Sequence, residues 1–183
     1  MKPEFLTQLV VLLSDILRQL VDSPEAIIVT ETVGEKVTLL EIHASPSDRG
    51  KIIGRGGEIV DALRQLAACW GGRAERSYRI TLLEEALPAE PAPASTCTHA
   101  ETSVASTVPL LIRMVQSVVD VPEQVVVNPL HTARTTIFEV TVAPRDVKKL
   151  LGRHGKTADA LRRLLTSLGT RADRRYLLEV VEG

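Results

Sequence analysis

Lys51-Ile52-Ile53-Gly54-Arg55-Gly56-Gly57 returns ninety-eight residues later as Lys149-Leu150-Leu151-Gly152-Arg153-His154-Gly155. Each stretch ends in a G-x-x-G loop that follows a basic, aliphatic turn. After each comes a helical pattern with apolar positions at i, i+3, i+4 and i+7: Ile59, Ala62, Leu63, Leu66 and Trp70, then Thr157, Ala160, Leu161, Leu164 and Leu168. The loop therefore sits between two helices, at the N-terminus of the second. Such an end presents N–H groups without intrahelical partners and the positive end of the helix dipole, so phosphate is its natural guest. Glycine lets a sugar-phosphate backbone approach the main chain with no Cβ in the way.

Outward from the loops, the two halves keep the same offset without a gap. From Val10 paired with Val108 to Glu84 paired with Glu182, 27 of 75 pairs are identical, among them Val21-Asp22/Val119-Asp120, Pro24-Glu25/Pro122-Glu123, Pro46/Pro144, Asp61 to Arg64 with Asp159 to Arg162, and Tyr78/Tyr176. Two copies of one domain explain this, the first over residues 1–85 and the second over 104–183. Residues 86–103 hold Pro88, Pro91 and Pro93 among Ala, Ser and Thr and read as a linker. Stretched as polyproline it spans about 55 Å, which leaves the arrangement of the copies open.

Within a copy the elements run α-β-β-α-α-β. Leu6, Leu9, Leu13, Ile16, Leu17 and Leu20 line one helical face, and Pro24 stops it. The second copy has Leu111, Val115 and Val118 there, and Pro109 is expected in that helix's first turn. Strands are expected at Ala26–Thr30 and Lys36–Ala44, then at Val125–Asn128 and Thr135–Val142, with Phe138, Val140 and Val142 inward. Ser45-Pro46-Ser47-Asp48 reads as a capping box opening a short helix, and Gly71 and Gly169 as left-handed C-caps of the long one. A last strand turns Tyr78, Ile80 and Leu82, or Tyr176, Leu178 and Val180, inward. The fold class is α+β: two units, each a three-stranded sheet covered by helices.

Composition narrows the function classes. Of 183 residues 44% are hydrophobic but only 3% aromatic, so the cores are aliphatic and base stacking on exposed rings is excluded as a main device. Trp70 reads as core. Cys69 and Cys97 form no CxxC, and Cys97-Thr98-His99 offers too few ligands for a metal. No apolar run approaches the roughly 18 residues of a membrane span, and the expected compartment is the cytoplasm. Gly152-Arg153-His154-Gly155-Lys156-Thr157 ends like a nucleotide-binding P-loop, but Leu150 stands where that loop needs glycine, and a helix rather than a strand should precede it. With no carboxylate pair and no Ser/His or Cys/His constellation, the reading is a non-enzyme without cofactor.

Helix, G-x-x-G, helix within αββααβ resembles the type II KH domain. Val21-Asp22-x-Pro24-Glu25 and Pro46-x-Asp48-x-Gly50-Lys51-Ile52-Ile53-Gly54-x-x-Gly57 are similar to the small bacterial KhpA family of RNA-binding proteins. The resemblance implies that the loops clamp single-stranded RNA by its backbone, as an RNA chaperone or post-transcriptional regulator, with bases in an aliphatic groove. Carried over by position, the contacts are Lys51, Ile52, Ile53, Gly54, Arg55, Gly56 and Gly57, with Lys148, Lys149, Leu150, Leu151, Gly152, Arg153, His154, Gly155 and Lys156. Family members usually carry one such domain, so the fusion implies that the copies pair with each other, in a homodimer or with another KH protein. A KH-mediated interaction scaffold, with RNA secondary, is the alternative. Charge separates the copies: residues 1–85 carry −3 and 104–183 carry +4, while Arg145–Arg163 around the second loop carries +5 against +1 for Ser47–Gln65. Glu58 follows the first loop where Lys156 follows the second. Since phosphate contacts supply most non-specific affinity, the second copy is expected to bind more strongly, the first being partly structural.

Overall fold

A computed structural model describes residues 3–34, 37–74, 77–83, 104–132 and 134–182. The expected linker, with Cys97 and His99, lies outside them. The first copy comprises α1 (Pro3–Leu20), β1 (Ile28–Val33), β2 (Val37–His43), α2 (Arg49–Ile53), α3 (Glu58–Ala74) and β3 (Ser77–Leu82). The second comprises α4 (Val104–Val118), β4 (Val126–His131), β5 (Thr135–Val142), α5 (Pro144–Leu151), α6 (Lys156–Arg171) and β6 (Arg175–Glu182). In each sheet the middle strand pairs antiparallel with the preceding strand and parallel with the last. Ile28 faces His43 in the first sheet, and Val126 faces Thr141 in the second, so the constant sequence offset survives as a shared register.

Alternation places the cores. β5 switches between half-buried and buried at every residue, bringing Thr136, Phe138, Val140 and Val142 inward. Phe138 meets Tyr176 of β6 edge to face, ring centres 5.1 Å apart. The first copy has Leu40 and Ile42 in the corresponding places, both buried in the core.

Three local expectations are corrected. Pro109 lies inside α4 rather than in its first turn, because the helix begins at Val104. Burial of Thr107, with Val104 and Val108 packed on the core, offsets the hydrogen bond that proline cannot donate. Gly71 and Gly169 do not end the long helices, which run on to Ala74 and Arg171. A Cβ on Gly169 would lie 2.6 Å from the Arg174 carbonyl oxygen, so glycine there permits close packing against the chain entering β6. The proline-led start is seen at Pro144 in α5, but α2 begins only at Arg49, after an Asp48 that makes no side-chain cap.

The copies share one hydrophobic core. α3 packs along α6, and α1 against α4. Both long helices are buried over about half their circumference, Val60, Ala67 and Trp70 joining Ile59, Leu63 and Leu66 on α3. One side faces the helix's own sheet and the rest faces the other copy. Trp70 is fully buried, and its Nε1–H donates to Ser117 Oγ of α4 at 2.9 Å. Asp15 of α1 and Arg113 of α4 occupy equivalent positions of the two copies and form an ion pair. Equivalent residues meet only beside a two-fold axis, so the chain is folded as an intramolecular pseudo-dimer.

Candidate nucleic-acid interface

Both loops adopt one backbone path. The first glycine of each has a conformation closed to other residues, φ 75° and ψ 176° at Gly54, φ 73° and ψ 177° at Gly152. A Cβ there would also strike the next helix, 2.6 Å from Ile59 Cγ1 or 2.1 Å from Thr157 Oγ1. The third position is left-handed in both, as Gly56 (φ 64°) in one copy and His154 (φ 57°) in the other. The Gly57 and Gly155 N–H groups close each turn on the Gly54 and Gly152 carbonyls at 3.2 Å. α3 and α6 then begin at once, the N–H groups of their first residues, Glu58 and Lys156, donating to the Arg55 and Arg153 carbonyls, so that the positive end of each helix dipole lies beside the loop.

Two aspartates brace the approach to the loops. Asp48, buried at 1% side-chain exposure, accepts the Asp22 and Ser23 N–H groups at 3.0 Å each, the Ser45 hydroxyl at 3.0 Å and Lys51 Nζ at 2.9 Å. Burial alone would raise its pKa. The Asp22 N–H, the Lys51 ammonium, the Ser23 N–H and the Ser45 hydroxyl outweigh it and hold the carboxyl well below the usual carboxylate range. Lys51 also pairs with Asp22, and its hydrogen bonds to Asp22 and Asp48 raise its own pKa. In the second copy Asp146 accepts the Asp120 and Val121 N–H groups at 3.1 and 2.9 Å, and Lys149 pairs with Asp120. Sequence reasoning assigned Asp48 to a helix cap and missed this tie, which joins residues 26 apart.

The expected contact residues divide accordingly. Arg55, Gly56, Arg153, His154 and Lys156 are exposed, and Gly54, Gly57, Gly152 and Gly155 are half-buried at the rim. Among the described residues Arg55 and Arg153 make no ion pair, so both guanidinium groups are free to meet an anion. Ile53 and Leu151 are exposed apolar residues at the loop entrance. Ile52 and Leu150 are fully buried beneath the loop and support it from the core. Lys51 and Lys149 stand near the loops, each with its ammonium already held by aspartate.

Each loop opens on a groove whose far wall is the long helix of the other copy. The first, about 710 Å³, lies between Gly54, Arg55 and Glu58 on one side and Arg162, Arg163 and Arg171 of α6 on the other. Its counterpart, about 660 Å³, lies between Gly152 and Arg153 on one side and Gln65, Ala68 and Cys69 of α3 on the other. The expected concentration of charge at the second loop is thereby corrected: two of the arginines that give Arg145–Arg163 its net +5, Arg162 and Arg163, face the first loop's groove. Arg171 crosses the boundary outright, donating to the Leu20 carbonyl and to Asp22 Oδ1, both at 2.9 Å. Lys51 and Arg171 together keep the Asp22 carboxyl below its ordinary pKa, the Lys51 hydrogen bond being the largest cause.

The P-loop rival fails on its setting, since Gly152 follows a helix, α5, and not a strand. The family described as KhpA/KhpB, KH domain matches the chain twice, over residues 11–82 and 109–180. RNA-binding protein KhpA of Listeria monocytogenes is 32% identical over 73 residues, covering 96% of that protein and 40% of this chain. The Chlamydia trachomatis RNA-binding protein KhpA is 38% identical over 72 residues, covering 92% of it and 39% of this chain. That of Mycobacterium leprae is 41% identical over 61 residues, covering 76% and 33%. These relatives have the length of one copy, and the chain carries two.

Proposed function

The chain belongs to the KhpA/KhpB KH-domain family, and on that premise we propose that it binds single-stranded RNA in the cytoplasm by clamping the sugar-phosphate backbone with Gly54–Gly57 and Gly152–Gly155, as an RNA chaperone or post-transcriptional regulator rather than an enzyme. The observation that carries this reading is the same in both copies: an exposed arginine without an ion pair among the described residues, inside a glycine turn that opens on a helix N-terminus. Phosphate finds backbone donors, a favourable dipole and a free guanidinium within a few residues of chain. Scarce aromatic residues make recognition of the backbone, not stacking, the main source of affinity.

The test is a titration of a labelled single-stranded oligoribonucleotide with the parent chain and with two loop variants, Arg55→Asp/Gly56→Asp and Arg153→Asp/His154→Asp. Both substituted positions of each loop are exposed, so the variants are expected to fold. Each pair should weaken binding and flatten the dependence of log K on log salt by about 0.7 per lost phosphate contact. Folded variants that bind as the parent does, with an unchanged salt slope, would contradict the loop assignment.

A further inference from the structure

The wall opposite the first loop belongs to the second copy, and it is basic and hydroxylated. We propose, on the RNA-binding reading above, that RNA held at Gly54–Gly57 is held at the same time by α6, so that this binding site is built from both copies and carries the stronger phosphate attraction of the two. Five cations line that groove, Lys51, Arg55, Arg162, Arg163 and Arg171, against the carboxylates of Asp22 and Glu58. Among the described residues the counterpart groove has only Lys149 and Arg153, against Asp120. The volumes are similar, so the difference is in charge and not in space.

Arg162 and Arg171 have arginine counterparts in Arg64 and Arg73, so the groove cation that diverged between the copies is Arg163. Arg163 of α6 stands where α3 has Gln65, Thr166 where it has Ala68, and Ser167 where it has Cys69. Lys51 and Arg171 are occupied with Asp22, and Arg162 with Asp159 of its own helix at 3.0 Å. Arg163 is exposed and has no ion pair among the described residues. With Arg55 it is free to grip phosphate from the opposite side, and it offsets Glu58 at the start of α3. A groove walled by protein on two sides focuses that field more than an open loop does. The hydroxyls of Thr166 and Thr170 donate to carbonyls of their own helix at 2.9 Å and leave their oxygens facing the groove as acceptors.

The experiment is Arg163→Glu in the full chain, in three backgrounds: parent, second loop disabled by Arg153→Asp/His154→Asp, and first loop disabled by Arg55→Asp/Gly56→Asp. Circular dichroism confirms folding, and affinity for one labelled single-stranded oligoribonucleotide is read at fixed salt. Arg163→Glu should weaken binding about tenfold in the parent and in the second-loop background, since it replaces a phosphate contact by a repulsion. Where the first loop is already disabled it should change the affinity less than about twofold, because coupled sites fail to add. Equal losses in all three backgrounds, a loss confined to the first-loop background, or no loss in any would overturn the shared groove. A parent chain that binds no RNA, or that loses none when both loops are disabled together, would instead bring down the RNA reading and this site with it.

Discussion

Across its groove the loop of the first copy meets arginine and threonine, whereas the loop of the other copy meets Gln65, Ala68 and Cys69. The backbones are the same to within a few degrees at Gly54 and Gly152, so the copies differ in what they face and not in how they turn. A symmetric dimer of one-domain chains must place the same residue on both sides of its axis. Fusion removes that constraint. Asp15 against Arg113 is the direct sign of it: self-pairing would set Asp against Asp or Arg against Arg, and the fused pair sets opposite charges together.

The comparison breaks most completely if the copies are separated. Trp70→Ala removes a fully buried ring and the hydrogen bond to Ser117, and should cost about 3–5 kcal/mol. Urea unfolding followed by far-ultraviolet circular dichroism should still show one transition at a lower midpoint, because both copies share the core; two well-separated transitions in the parent chain would show that they fold independently.

The aspartate braces come next. Asp48→Ala strands the Asp22 and Ser23 N–H groups and two further donors, at about 3 kcal/mol, and Asp146→Ala should cost less because fewer groups depend on it. The sign with pH follows from the lowered folded pKa of Asp48. Its contribution is complete above the unfolded value of about 3.9 and is lost as pH falls toward the folded one. The stability gap between the parent and Asp48→Asn should therefore be level above about pH 4 and narrow below it, and a gap that widens on acidification would reverse the assignment.

Smaller still is the exchange at the left-handed loop position. Gly56→His should cost about 1 kcal/mol, as histidine is strained at positive φ, while His154→Gly should be near neutral, relief of that strain being offset by glycine's freer unfolded chain. Thermal melts of the two variants measure both. Smallest is the exposed pair at the pseudo-axis: Asp15→Arg should lose about 0.5 kcal/mol, and adding Arg113→Asp should restore it, whereas additive losses would deny that the two residues meet.

Much of this was legible in the chain. The period-two pattern of Thr135–Val142 marked the strand to the residue, and the repeated G-x-x-G placed both loops between helices. Local signals misled where a distant partner decided the outcome. Ser45 to Asp48 has the spacing of a cap, yet Asp48 serves N–H groups 25 and 26 residues away. Gly169 resembles a helix stop, but its lack of a side chain is used by the strand that follows. The pairing of the copies left a mark that a single-stripe reading passes over: apolar residues at Val60, Ala67, Ala158 and Leu165 widen the long helices beyond the face one sheet can cover. Counting charge along the chain then assigned Arg162 and Arg163 to the nearer loop in sequence, when the fold sets them before the other.

Amide chemical shifts of the isotopically labelled full chain, followed while unlabelled single-stranded RNA is added, test the shared groove most directly. The account predicts that Gly54–Glu58 of the first copy and Arg162–Arg171 of the second move together along one binding isotherm, at lower RNA concentration than Gly152–Lys156. Shifts at Gly54–Glu58 with α6 silent throughout, or α6 moving only with Gly152–Lys156, would contradict it.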